Sequence, residues 1–202
     1  MPTVSPTLFI GLGGTGHIFT NRVKEIITHE LNDYNNSFPL VKYLVIDTEF
    51  ESINTQAITE NKDTDIFKES VIDTSIIDKT EIVDLSTVEK ENVHSILQKP
   101  NEDAFNDFLS DTTPQIKAGG HGASQIGLIG KIMGIYRFNQ IYAKINSVID
   151  YFSGMKIDED LASGKNWQRF SKGNYPTVII SCSLSGGTGR GLFMMVAGID
   201  RK

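Results

Sequence analysis

Thr7-Leu8-Phe9-Ile10-Gly11-Leu12-Gly13-Gly14-Thr15-Gly16 is the stretch on which the fold turns. A short apolar run, Thr7–Ile10, ends in a cluster of glycines. Ile18, Phe19, Val23, Ile26, Ile27 and Leu31 then recur at helical spacing. The order is strand, glycine loop, helix. Beyond a turn-rich stretch at Asn32–Pro39, Leu40–Ile46 is again apolar and β-branched, which predicts a second strand ending at Asp47. Such a βαβ unit has parallel strands. The pattern returns near the end, where the apolar run Thr177–Leu184 reads as a central parallel strand. It empties into Ser185-Gly186-Gly187-Thr188-Gly189-Arg190-Gly191, and a helix follows over Leu192–Ile199.

Between these ends the reading is coarser. Short strands are expected at Ser70–Ile77 and Glu81–Leu85, and helices near Glu89–Gln98 and Glu102–Leu109. A glycine-rich loop at Lys117–His121 leads into Gln125–Phe152, whose apolar positions predict one long helix. Gly127, Gly130 and Gly134 each weaken that helix by roughly 1 kcal/mol relative to alanine, which points to close packing along it. Ser153–Tyr175 reads as a polar connection. The predicted architecture is a three-layer α/β domain over residues 1–202, with a mostly parallel sheet, helices on both faces and its site at the carboxyl ends of the strands.

Composition removes several classes of function. The chain has 202 residues with 39% hydrophobic and 22% charged content, enough for one sizeable core. Its net charge of −6 carries no offsetting run of Lys and Arg, so nucleic-acid binding is not expected. No stretch reaches the roughly 20 apolar residues that span a bilayer, so no membrane partner is expected. One cysteine, Cys182, excludes an internal disulfide and fits a small buried thiol in a reducing cytoplasm. His17, His29, His94 and His121 lack ligand spacing, and no protein-built metal site is predicted. Ser183 and Ser185 have no nearby histidine to activate them as nucleophiles.

Gly11–Gly16 fits G-x-G-x-x-G, and Asp47 stands at the end of the next strand. Alone, the pair fits an NAD(P)-binding Rossmann domain, in which glycines permit a tight turn and a helix N-terminus binds phosphate. A dinucleotide fold does not need the second loop, Ser185–Gly191, and two such loops would surround a triphosphate. Ser-Gly-Gly-Thr-Gly-Arg-Gly resembles the signature loop of the tubulin/FtsZ superfamily. With its opening Gly-Leu-Gly-Gly-Thr-Gly, the chain looks closest to bacterial tubulin-like proteins. The order of parts is similar over most of the chain, and the likeness is sharp at the three glycine loops.

The resemblance implies a GTP- or GDP-binding domain, Mg²⁺ arriving with the nucleotide, and assembly with further copies or a larger protein partner. It implies phosphate contacts from Gly13, Gly14, Thr15 and Gly16, from Gly119 and Gly120, and from Ser185, Gly186, Gly187, Thr188, Gly189 and Arg190. There are departures. Arg190 replaces a small hydroxyl residue, and His17-Ile18 stands where FtsZ has Gly-Asn. The chain ends at Lys202, shortly after the signature loop, without the family's core helix or activating domain. The acidic residues that position water in the family come from that part, so hydrolysis by this chain alone is not expected. Arg190 has two readings, a phosphate ligand or a surface residue at a helix start. Asp47 is either a ribose ligand or the start of a loop near the nucleotide. A module that keeps the fold for interaction without binding nucleotide is the third functional reading.

Overall fold

The computed structural model describes residues 1–31, 38–48, 77–86, 123, 127–164 and 167–199. In chain order the elements are β1 (Thr3–Val4), β2 (Thr7–Leu12), α1 (Gly13–Glu30), β3 (Val41–Asp47), a 3-10 turn (Lys79–Glu81) and β4 (Ile82–Asp84). They continue with α2 (Gly127–Tyr136), α3 (Phe138–Ser153), α4 (Lys156–Ser163), β5 (Ser171–Lys172), β6 (Thr177–Cys182) and α5 (Gly187–Ile199). All but Ile77 of the strand expected at 70–77, the helices expected at 89–98 and 102–109, and the loop at 117–121 lie outside the described residues.

Among the described residues every strand pairing is parallel. The main sheet has the order β4-β3-β2-β6, and β1 pairs with β5 in a second, two-stranded sheet. β2 is central: Thr7 to Leu12 align with Val41 to Ile46 on one side and with Thr177 to Cys182 on the other. Successive side chains of a strand point to opposite faces. Gly11 faces α1, because a Cβ added there would meet Gly16 O at 2.4 Å and Thr20 Oγ1 at 2.6 Å. Leu8, Ile10 and Leu12 point the other way and are fully buried. Both faces of β2 are therefore covered, as an α/β sheet with helices on both sides requires.

Lys24 fixes α1 to the β4 side of the sheet. It is buried, its Nζ donates to Glu81 Oε2 at 2.5 Å, and it lies 5.4 Å from the centroid of Tyr43. Glu81 also accepts from Asp78 N, closing a capping box with Asp78 at the start of the 3-10 turn. A single carboxylate thus ties the turn before β4 to α1.

The structure corrects three expectations. The long helix is two helices, because Arg137 leaves the helical well at φ −99° and ψ 15°. No proline or glycine stands at this break; α2 packs mainly on α5, while α3 packs on α4 as well as on α5. β6 ends at Cys182 and, among the described residues, forms an edge: it pairs only with β2, and Ile179 is 38% exposed. An unbroken apolar run does not reveal a strand's position in the sheet. Cys182 is accordingly only partly buried, though burial still raises its thiol pKa. The third correction is α4, which lies in the stretch read as a connection. It is held by buried Ile157 and Leu161 and by Tyr151 Oη, which donates to Asp160 Oδ2 at 2.7 Å.

Candidate phosphate-binding site

At the carboxyl edge of the sheet, β2 leads directly into α1 and β6 leads through a short loop into α5. The strand order reverses at β2, whose chain successor β3 lies on one side and β6 on the other. Open α/β sheets form their ligand crevice at such a switch point.

Gly11–Gly16 is less a loop than a hinge. β2 continues through Leu12, α1 starts at Gly13, and the reversal rests on Gly13 at φ +71°, a conformation that glycine adopts without steric cost. Gly11 and Gly16 are packing residues: a Cβ at Gly16 would meet Ser181 O at 2.5 Å and Gly11 C at 2.7 Å. Their lack of a side chain seats α1 against β2 and β6. Gly14 is the contrast. It is exposed, and a Cβ added there would meet nothing within 4 Å.

The second glycine run divides in the same way. Gly187, Thr188 and Gly189 are buried, while Ser185 and Arg190 are exposed and Gly186 is intermediate. Ser183 Oγ and Ser185 Oγ lie 2.7 Å apart, and Ser185 N donates to Ser183 Oγ at 3.3 Å, which shapes the turn after β6. Gly189 must be glycine because a Cβ there would lie 2.5 Å from Ser183 O. Arg190 N donates to Gly186 O at 3.1 Å, opening the hydrogen-bond ladder of α5.

Thr188 joins the two halves. A Cβ on Gly13 would lie 3.1 Å from Thr188 Cβ, so the starts of α1 and α5 are in van der Waals contact. The Thr188 hydroxyl is 2.6 Å from Thr48 Oγ1 and donates to Asp47 Oδ1 at 3.5 Å. Asp47 Oδ1 also accepts from Thr48 N at 2.7 Å, and Thr48 Oγ1 accepts from Ala123 N at 3.0 Å. The end of β3, the start of α5 and Ala123, two residues beyond the middle glycine loop, are thereby tied together. Asp47 is 3% exposed within this knot. The sequence reading missed the role of Thr48; its only signal was a hydroxyl residue directly after a strand end.

The arrangement favours anions. α1 has no side-chain cap at Leu12, and the residue before α5 is a glycine, which has no side chain to cap with. Neither first turn carries an acid. Two adjacent helix N-termini, each with N–H groups that the helix itself does not satisfy and a partial positive charge, are an electrostatically favourable place for an anion. His17, in α1 beside this turn, is buried, and burial lowers its pKa. Gly119 and Gly120 lie outside the described residues. Among the described residues no group of three or more His, Cys, Asp or Glu could hold a metal ion, and no helix is long and apolar enough to cross a membrane.

No curated protein and no solved structure matches the chain. The model of the tubulin-like family matches residues 8–201, a span that runs from β2 through α5 and includes both glycine turns. The chain belongs to the tubulin-like family.

Proposed function

We propose that this chain binds the phosphates of a guanine nucleotide at the crevice between α1 and α5. The observation that supports the reading best is the contact between the two uncapped helix starts, Gly13 against Thr188, at the switch point of the sheet. Exposed Gly14, Thr15 and Ser185, with half-buried Gly186, offer backbone N–H groups from two sides. Buried Gly13, Gly16, Gly187, Thr188 and Gly189 hold those groups in place. Gly119 and Gly120 are proposed to contribute from the middle loop. GTP or GDP would bring Mg²⁺, held mainly by phosphate oxygens and water. The dinucleotide reading needs an acid at the end of β3 turned toward a ribose, whereas Asp47 is buried and engaged with Thr48 and Thr188.

Thermal unfolding with GTP, GDP, ATP and NAD, each with Mg²⁺, tests this reading. At a hundredfold excess over Kd a ligand stabilises the folded chain by about 2.7 kcal/mol, or roughly 5–10 °C for a chain of this size. GTP and GDP are expected to produce that shift. A shift with NAD alone would replace the reading by the dinucleotide one, and no shift with any of the four would leave the interaction module.

The proposal extends to a cytoplasmic protein that assembles through this domain with further copies or a larger partner, as membership of the family supports. Light scattering is expected to rise on adding GTP and to fall as GTP is replaced by GDP. A trace indifferent to nucleotide would remove self-assembly from the proposal.

A further inference from the structure

We infer that the solvent face of α3 is a self-complementary surface on which a second copy of this chain docks, its α3 antiparallel to the first about a two-fold axis. The inference takes up the assembly part of the proposal above by naming a surface for it, and it does not depend on the nucleotide.

Asn139, Tyr142, Ala143, Ser147, Asp150 and Ser153 are exposed and recur at helical spacing, so this face runs the length of α3. Its two ends differ. At the amino end Phe138 and Tyr142, each more than a third exposed, stack with ring centroids 5.8 Å apart, and exposed Ile135 and Tyr136 stand just before them at the end of α2. Four large exposed side chains within eight residues exceed the scattered apolar residues of an ordinary surface. At the carboxyl end Met155 is 82% exposed directly after the cap at Gly154.

Charge divides in the same way. Lys131, Arg137 and Lys144 give residues 127–149 a charge of +3 with no acid among them, while Asp150, Asp158, Glu159 and Asp160 against Lys156 give residues 150–160 a charge of −3. This order opposes the dipole of the helix, which favours acids at its amino end and bases at its carboxyl end. The first turn of α3 has no acid, the last turn has no base, and Asp150 stands in that last turn. Two of the other acids are engaged: Asp158 accepts from Lys172 Nζ at 3.3 Å and Asp160 from Tyr151 Oη at 2.7 Å. Exposed Lys131, Asp150 and Glu159 have no ion pair among the described residues.

A second α3 laid antiparallel offsets the misplaced charge at both ends, because it brings its acidic end to the basic end of the first. With the axis between Asn146 and Ser147, Phe138 of one copy comes opposite Met155 of the other, a favourable pairing of an aromatic ring with a thioether. Ala143 and Ser147 are small enough for the helices to approach closely near the axis. A two-fold contact makes every pair twice, so modest pairs add up.

Sedimentation equilibrium of the full chain without nucleotide tests the surface. A reversible monomer–dimer equilibrium is expected below about 100 μM, weakening as salt is raised. Lys131→Glu and Glu159→Lys, both at exposed positions, are each expected to raise the dimer Kd by about tenfold while the melting temperature is kept. An equimolar mixture of the two variants is expected to regain the dimer, since the mixed pair restores opposite charges at both ends. A monomer at every concentration, association that continues past two copies, or a dimer indifferent to the single variants would overturn the inference. So would a mixture that associates no more tightly than its components. No nucleotide is present, so the result stands apart from GTP binding, which thermal unfolding decides, and from GTP-driven assembly, which light scattering decides.

Discussion

Gly130→Val is expected to lower the free energy of unfolding by at least about 3 kcal/mol, the upper range for overpacking a tight contact. The cause is the distance between the backbones of α2 and α5. A Cβ at Gly130 would lie 2.4 Å from Gly187 O and 3.1 Å from Thr188 Cα, and neither atom can rotate away as a side chain would. The contact continues on both sides. At Gly134 a Cβ would meet Leu192 Cδ2 at 2.1 Å, and at Gly191 it would meet Lys131 N at 2.5 Å. Separating the helices would strip buried Leu192 and Val196 of part of their cover and pull Thr188 away from Thr48. Urea denaturation of the variant beside Gly198→Ala checks the expectation, since a Cβ at Gly198, also in α5, would meet nothing within 4 Å. Gly198→Ala should be neutral or slightly stabilising, by up to about 1 kcal/mol. If Gly130→Val costs no more than Gly198→Ala, the helices are not in backbone contact.

Gly14→Trp is expected to do the opposite, keeping the fold and removing the ligand. Gly14 is exposed in the first turn of α1, with open space where its side chain would grow. Unlike Gly13, it does not depend on a positive φ. An indole there would occupy the space through which phosphate must approach the N–H groups. Affinity for GTP should fall by more than about a hundredfold, close to 2.7 kcal/mol, while the unliganded melting temperature stays within about 3 °C. Titration and thermal unfolding read the two effects separately. Undiminished GTP binding would mean that the nucleotide lies elsewhere. A bulky residue at Gly187 is a poorer probe, because Gly187 is buried beneath Gly130 and the change would unfold the chain before it reported on binding.

The two variants separate what the sequence makes look alike. Gly14 and Gly16 stand in one motif, Gly187 and Gly191 in another, and nothing in the letters distinguishes a glycine that opens a path to a ligand from one that lets two backbones touch. Gly127, Gly130 and Gly134 were legible as a cost to a helix and hence as a sign of packing. Their partners, Arg190, Gly187 and Leu192, lie more than fifty residues further along the chain, and no local pattern could name them. The break at Arg137 was hidden for a related reason: the apolar period runs through it without a breaker, and the contact that α3 adds with α4 lies outside any local pattern. β6 was placed in the centre of the sheet because its side chains are apolar, a property shared by a strand that lies at an edge among the described residues.

By itself, the sequence determined the parallel α/β class, the strand-to-glycine-to-helix turns after β2 and β6, the end of β3 at Asp47 and the likeness to tubulins. These rest on short-range rules: the periods of strand and helix, the freedom of glycine and the exposed N–H groups of a helix start. Only the tertiary structure decided that α1 and α5 meet at Gly13 and Thr188, that Asp47 and Thr48 serve that junction, and that Gly14 alone of the first turn's glycines has clear space above it. The reason is physical: those properties depend on which atoms from distant parts of the chain occupy the same few ångströms, and hard contact between them acts only after the chain has folded.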